Sequence, residues 1–206
     1  MTASVTLEEP APVDVAVITE GVSCNGDADG TATAVVPDAI LYDWTGPNGF
    51  ATSGPALSAL TDLSPGTYTA TASNGCEGVG TGLVPEPEVL TADPFVAPPS
   101  CPGLSDGTAG AVMSGGTGPY TVTWTLPSGG EATGEFLNAV PSGTYAFSAV
   151  DANGCATAGS VDLVDPEPVA VELDLTPPVC AEGDCAESGS IVATVTGGVE
   201  PYAAVW

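Results

Sequence analysis

The chain repeats one pattern three times, with a period of 77 to 80 residues. A cysteine, a polar turn and an alternating strand recur at Cys24, Cys101 and Cys180, which lie 77 and 79 residues apart. Trp44 and Trp124 are separated by 80 residues. Internal repeats of this length are typical of tandem architectures. The sequence therefore predicts several small domains in series, each with a core of its own.

The ends of the repeats can be placed by matching short segments. SVTLEEPAPVDV at 4–15 resembles SVDLVDPEPVAV at 160–171, where one repeat runs into the next. The chain is thus expected to open on the last strand of a preceding repeat and to stop partway through a third. The predicted boundaries are that strand at 1–9, complete repeats at 10–85 and 86–166, and a truncated repeat at 167–206.

Short alternating runs of apolar and polar residues predict about seven β-strands in each repeat. Gly, Pro and Asn separate the runs, and one strand is expected near 130–137. Asn74-Gly75 and Asn153-Gly154 favour type I′ hairpins, which need positive φ at both central residues. The strand spacing predicts an all-β fold of antiparallel β-sandwiches rather than alternating strands and helices.

The charge of the chain excludes several functions. There are 26 acidic residues and no Lys, Arg or His. The chain therefore has no histidine to activate a nucleophile, no lysine for a Schiff base and no basic patch for nucleic acid. The sequence contains no run of 18 apolar residues, so it predicts no membrane span. We expect a protein that is not an enzyme, does not bind nucleic acid and does not cross a membrane.

The cysteines predict one disulfide within each complete repeat. Cys24 and Cys76 are 52 residues apart, Cys101 and Cys155 are 54 apart, and each pair brackets a tryptophan. Small secreted domains use such bonds, so the pairing also predicts an extracellular location. Buried free thiols and a zinc site remain alternatives. The sequence leaves the partners of Cys180 and Cys185 open.

The tryptophans Trp44, Trp124 and Trp206 are predicted to lie in domain cores, with a sugar-stacking surface as the alternative. Tyr68 and Tyr145 are predicted as core residues whose hydroxyls reach a turn. They lie eight and ten residues before the second cysteine of their repeats. The tyrosine corner of immunoglobulin domains has a spacing of two, which predicts a different sandwich here.

The segment that begins at Asn25 resembles the start of a calcium-binding loop. Asn25, Asp27 and Asp29 have the spacing of the first three ligands, but the twelfth position is Val36 instead of Glu. A polar turn is the main interpretation, and a weak calcium site is the alternative. No other cofactor is expected.

Four motifs in a fixed order resemble the SprB repeat, a family named for a very long gliding-motility adhesin of Bacteroidota. They are Cys-x-Gly in the first turn, Gly-Gly-x-x-Pro-Tyr-x-x-x-Trp at 115–124, Pro-x-Gly-Thr-Tyr at 141–145 and Asp-x-Asn-Gly-Cys at 151–155. The resemblance implies tandem immunoglobulin-like (Ig-like) modules exported by type IX secretion to the cell surface, with a role in adhesion or gliding. The first repeat departs from the pattern at 36–40.

Two functions follow as hypotheses. The first is a structural stalk segment of a large extracellular adhesin, whose partners are neighbouring repeats of the same chain, with copies of itself in a filament and surface glycans as further candidates. The second is a glycan- or protein-binding module in which one variable loop carries recognition. The loops at 36–41 and 46–50 are the candidates for that site.

Overall fold

The computed structural model describes residues 13–178, 180–181, 184–185 and 189–205. This part of the chain is built from β-strands, with a single 3₁₀ turn at Pro47–Gly49 and no α-helix. It accordingly contains no helix with the length and hydropathy needed to cross a bilayer. The strand expected at 1–9 and the core residue expected at Trp206 lie outside the described residues.

The first repeat contains seven strands, as the alternating pattern predicts. They are β1 (Ala16–Glu20), β2 (Gly30–Val35), β3 (Leu41–Thr45), β4 (Ala51–Gly54), β5 (Ala59–Leu63), β6 (Gly66–Ser73) and β7 (Glu77–Val84). One sheet has the order β1-β2-β5 and the other β4-β3-β6-β7. All resolved pairings within the two sheets are antiparallel.

The core of the first repeat lies between these two sheets. Residues on one face of each strand are buried and those on the other face are more exposed, because side chains alternate along a strand. In β6 the buried positions are Tyr68, Ala70 and Ala72. Trp44 from β3 packs in the same cluster and is 1% exposed. The small alanines leave room for these large aromatic rings.

Glycines on β7 let the β1 segment lie very close to it. A Cβ atom built on Gly78 would lie 2.0 Å from the Val13 carbonyl oxygen, and one on Gly80 would lie 2.2 Å from that of Val15. No side chain fits at these distances. Alternate glycines in EGVGTGLV therefore allow backbone-to-backbone packing, a role that the sequence pattern did not indicate.

The second repeat has the same topology. Its strands are β8 (Thr91–Ala97), β9 (Gly107–Ser114), β10 (Thr121–Thr125), β11 (Glu131–Thr133), β12 (Phe136–Val140), β13 (Gly143–Val150) and β14 (Ala156–Leu163). The sheets have the orders β12-β9-β8 and β11-β10-β13-β14. In each repeat the third strand pairs with the fourth and sixth, which is an Ig-like arrangement. The all-β, Ig-like prediction is confirmed.

Two details of the predicted strands and turns are wrong. The strand expected near 130–137 is two strands, β11 and β12, which belong to different sheets because the chain crosses over at Gly134 (φ 128°). The Asn-Gly turns are not type I′. Gly75 and Gly154 have positive φ, of 111° and 92°, but neither preceding asparagine does. The cysteine after each glycine belongs to the turn, which is therefore longer than two residues.

The third repeat contributes two antiparallel strand pairs. β15 (Ala170–Thr176) pairs with β18 (Ser190–Thr196), and β16 (Cys180–Ala181) pairs with β17 (Asp184–Cys185). Alternate apolar side chains of the first pair are exposed to solvent. Ile191 is 54% exposed, whereas Ala109 at the matching position of β9 is fully buried.

The contacts divide the chain into two compact units. The first unit contains the chain up to Thr91 together with two segments of the second repeat, Ser114–Tyr120 and Val150–Ala156. The sequence boundaries at 85/86 and 166/167 stay predictions. Through these two segments, the first unit contains residues of both sequence repeats.

The close packing of β1 on β7 predicts that a single added methyl group is costly. Gly80→Ala should lower the free energy of unfolding by about 1–3 kcal/mol, since the new atom meets a backbone oxygen that cannot rotate away. Urea denaturation at pH 7 measures this. The matched control is Gly130→Ala on a turn, where the nearest atom would be 3.7 Å away; it should change the value by less than about 0.5 kcal/mol. Equal effects of the two substitutions would contradict the packing.

Candidate functional site

The loop between β1 and β2 (residues 21–29, the first loop) is closed by one carboxylate. Asp29 accepts hydrogen bonds from the backbone N–H of Ser23, at 2.9 Å, and from the Ser23 hydroxyl. These bonds, that of the hydroxyl first, lower the pKa of Asp29 below its usual value. The second repeat is built in the same way, because Asp106 accepts the corresponding two bonds from Ser100. The pKa of Asp106 is lowered for the same reason.

The structure joins Cys24 of this loop to Cys155 by a disulfide, with a Cα–Cα distance of 5.5 Å. The predicted pairs Cys24–Cys76 and Cys101–Cys155 are therefore wrong. Cys76 and Cys101 have no disulfide partner among the described residues. The bond connects two sequence repeats, yet both cysteines lie in the first compact unit.

The strand register explains why a bond within one repeat cannot form. The first loop lies where β1 ends and β2 begins, and Gly30 pairs there with Leu63, just before β6 starts. Cys76 follows the other end of β6, which is eight residues long. Eight residues of strand extend about 26 Å. A disulfide needs Cα atoms roughly 4.4–6.8 Å apart. The cysteines of one repeat therefore occupy opposite ends of its sandwich.

The turn that carries Cys155 is organised by Asp151. Its carboxylate accepts hydrogen bonds from the backbone N–H groups of Thr117 (2.8 Å), Asn153 (2.9 Å) and Cys155 (2.9 Å). The side chain is 6% exposed, the one buried charged residue of the described chain. These bonds, that from Thr117 first, lower the pKa of Asp151, and they outweigh the opposing effect of burial.

Hydrogen bonds accompany the disulfide. The side-chain amide of Asn153 donates to the Ser23 carbonyl oxygen at 3.0 Å. Gly26 donates its backbone N–H to the Glu86 carboxylate at 2.6 Å, and the Asn25 amide donates to the Pro87 carbonyl at 2.9 Å. The first loop therefore contacts both the Cys155 turn and the segment that links the two sequence repeats.

The same hydrogen bonds involve the three predicted calcium ligands, Asn25, Asp27 and Asp29. Both oxygens of Asp29 accept bonds from Ser23, and Asp27 accepts one from the Ser23 hydroxyl at 3.3 Å. Asn25 uses its amide on the linking segment. Within the described part of the chain, no three His, Cys, Asp or Glu side chains are arranged to hold a metal ion. Calcium binding stays a prediction.

The structure places Trp44 and Trp124 in the cores of the two complete repeats. They are 1% and 0% exposed. Each indole N–H donates to a backbone carbonyl, Leu57 at 2.9 Å and Gly134 at 2.8 Å. The polar edge of the ring is thus satisfied without water, as a fully buried tryptophan requires.

Tyr68 and Tyr145 are also buried, and their hydroxyls bond to the turn before β6 and β13. Tyr68 donates to the Ser64 carbonyl at 3.0 Å, and Tyr145 to that of Pro141 at 2.7 Å. Burial raises the pKa of both hydroxyls. This is the geometry of a tyrosine corner, so the prediction of a different sandwich from the cysteine spacing is wrong on this point. That spacing misleads because the cysteine here sits in the turn after the strand.

The buried carboxylate predicts an acid-sensitive turn. Asp151 has a lowered pKa in the folded chain, so its stabilising contribution is complete above the unfolded value of about 3.9 and is lost as the pH falls through the folded value. Asp151→Asn should lower the melting temperature at pH 7. The difference from the unchanged protein should shrink below about pH 4. Thermal melts from pH 7 to pH 3 test this.

The matched control is Asp93→Asn. Asp93 is exposed on β8 and lies outside this turn. Its substitution should leave the melting temperature nearly unchanged across the range. A melting difference for Asp151→Asn that stays constant down to pH 3 would contradict the role of the carboxylate.

Comparisons with solved structures find Ig-domain proteins. The chain resembles an amphioxus IgVJ-C2 molecule with 16% identity and a TM-score of 0.33, over 71% of this chain and 95% of that one. It also resembles a structure of Dpr2 Ig1-Ig2 in complex with DIP-Theta Ig1-Ig3, with 15% identity and a TM-score of 0.35, over 79% and 70%.

No curated protein sequence matches this chain. A family match covers the beginning of the second repeat, from β8 to the turn after β10. Residues 95–129 match the SprB repeat, which confirms over this stretch the resemblance that the motifs indicated.

Proposed function

We propose that this chain is a non-enzymatic, load-bearing segment of a large extracellular protein that acts at the cell surface in adhesion or gliding motility. The SprB repeat match supports the surface role. The disulfide supports an oxidising, extracellular location, since such bonds persist there and are rare in the cytosol.

The observation that carries the proposal is the bond between Cys24 and Cys155, which closes a loop with a sequence separation of 131. A chain pulled from both ends transmits force through its shortest covalent path. The disulfide provides such a path, parallel to the linking segment after β7. The residues between the two cysteines are then held out of the extending path while the bond is intact. This is a useful property for a surface protein under tension.

The 46–50 loop offers little support for the binding-module alternative. In the 46–50 loop, Gly46 donates its N–H to the Phe50 carbonyl at 2.9 Å, so the loop closes on itself. The Phe50 ring packs edge-on against Tyr68, with centroids 5.5 Å apart. Its aromatic side chain therefore contributes to packing. We propose the structural role in preference to a recognition role.

Force spectroscopy on the full chain, held at its termini, tests load bearing. The fully extended length without reductant should be shorter by about 460 Å than with reductant, at about 3.5 Å for each residue of the closed loop. Cys24→Ser should give the longer length in both conditions. The matched control Cys76→Ser should keep the difference. Equal lengths in the two redox states would mean that the linking segment alone carries the load.

The location is tested separately on intact cells that produce the protein. An antibody against the chain should label them without permeabilisation, and external protease should remove the label. Labelling that appears only after lysis would contradict the surface assignment, whatever the force measurement gives.

A further inference from the structure

The loop between β8 and β9 (residues 98–106, the second loop) reproduces the first loop. In the first loop Asp27 donates its N–H to the Cys24 carbonyl at 3.1 Å. In the second loop Leu104 donates to the Cys101 carbonyl at 3.2 Å. The glycine two residues after each cysteine has positive φ, 88° at Gly26 and 78° at Gly103. Cys101 is therefore presented by the same backbone turn as the bonded Cys24.

The second loop also reproduces the contacts around that turn. Ser100 is fixed by Asp106 as Ser23 is fixed by Asp29. Gly103 donates its N–H to the Asp165 carboxylate at 3.3 Å, at the position where Gly26 contacts Glu86. The segment after β14 thus contacts the second loop as the segment after β7 contacts the first.

The second loop differs from the first in its cysteine, because Cys24 is in a disulfide and Cys101 is not. Cys101 is exposed and has no disulfide partner among the described residues. The other oxygen of the Asp165 carboxylate, Oδ1, is buried without a hydrogen-bond partner in the same part of the chain. The second loop therefore presents Cys101 on the same backbone turn as the bonded Cys24, and it contacts a carboxylate whose other oxygen is buried and unpaired among the described residues.

We propose that Cys101 forms a disulfide with the turn cysteine of a following repeat of the same type, as Cys24 does with Cys155. The partner is an Asn-Gly-Cys turn equivalent to that between β13 and β14. Cys155 itself cannot serve, because it lies at the opposite end of β13, eight residues long, and is already bonded. Each complete repeat would then be bonded to the next, in series.

Cys76 is a candidate for the second partner in a bond of the same kind. It belongs to an Asn-Gly-Cys turn, is half-buried and has no partner among the described residues. In the proposed series, Cys76 bonds the cysteine of a preceding repeat that is equivalent to Cys24 and Cys101. This inference goes beyond load bearing, because a chain could carry tension with the single bond between Cys24 and Cys155.

The bond forms by thiol–disulfide exchange with a small disulfide or a disulfide oxidoreductase as oxidant. The Cys101 thiolate attacks the oxidant and releases one reduced sulfur as a thiolate. The partner cysteine then attacks the mixed disulfide and releases the second. Two protein thiols lose two electrons and two protons, and one oxidant disulfide becomes two thiols.

The experiment duplicates residues 86–164 in tandem within the full chain, so that a complete second repeat follows Cys101. The protein is refolded in reduced and oxidised glutathione, and its thiols are counted after denaturation without reductant. Two serine variants are compared with this parent. In one, Cys101→Ser is placed in the first copy of the repeat; in the matched control it is placed in the second copy.

The proposal predicts opposite changes. Cys101→Ser in the first copy should raise the count by one thiol, because the turn cysteine of the second copy loses its partner. The same change in the second copy should lower the count by one, because that cysteine is unpaired. A bond between the two cysteines of the second copy, with Cys24 still bonded to Cys155 of the first copy, would reverse the two signs. Bonds within both copies would raise the count by one in both variants. Any pattern other than the predicted one overturns the proposal, and the bond between Cys24 and Cys155, identified by peptide mapping, verifies oxidation in every sample.

Discussion

The loops of this protein depend on carboxylates that accept hydrogen bonds from backbone N–H groups and serine hydroxyls. The chain has 26 acidic residues and no Lys, Arg or His, so no side-chain cation is available to them. Asp29 fixes the loop that carries Cys24, and Asp151 fixes the turn that carries Cys155. Both have lowered pKa values, as expected when the bonds favour the ionised form. The disulfide is therefore positioned by two carboxylates that act on the backbone.

The strand order then determines which cysteines of neighbouring repeats can meet. The loop between the first two strands and the turn between the last two lie at opposite ends of each sandwich, because the sixth strand runs between them. Each of the two complete repeats has a cysteine at each end, so in the proposed series it has one position for a bond to the next repeat and one for a bond to the preceding repeat. The glycines of β7 and the alanines of β6 keep the sandwich thin enough for its large aromatic residues to fill the core. Local packing and the proposed series of bonds thus rest on the same seven-stranded topology.

Much of the fold could be predicted from sequence, because alternation and turn residues act locally. The seven strands, the core positions of Trp44 and Trp124 and the all-β class follow from such patterns. The disulfide pairing could not be predicted, because it depends on which ends of strands meet in space. One eight-residue strand separates the two cysteines of each complete repeat, which already indicates that they lie at opposite ends. Cysteine spacing does not reveal the tyrosine corner for a related reason, because Cys76 and Cys155 lie in the turns after the strands that carry Tyr68 and Tyr145.

Loop-closure entropy does not explain why the bond joins two repeats. In the chain-entropy description, a disulfide across the 52 residues from Cys24 to Cys76 would stabilise by about 4 kcal/mol, and one across 131 residues by about 5 kcal/mol. A difference of about 1 kcal/mol is too small to select a partner against a separation of about 26 Å, so geometry decides the pairing. A bond within one repeat would secure that sandwich alone. The observed bond adds a second covalent connection between the two repeats, and this connection does not run through the residues between the two cysteines.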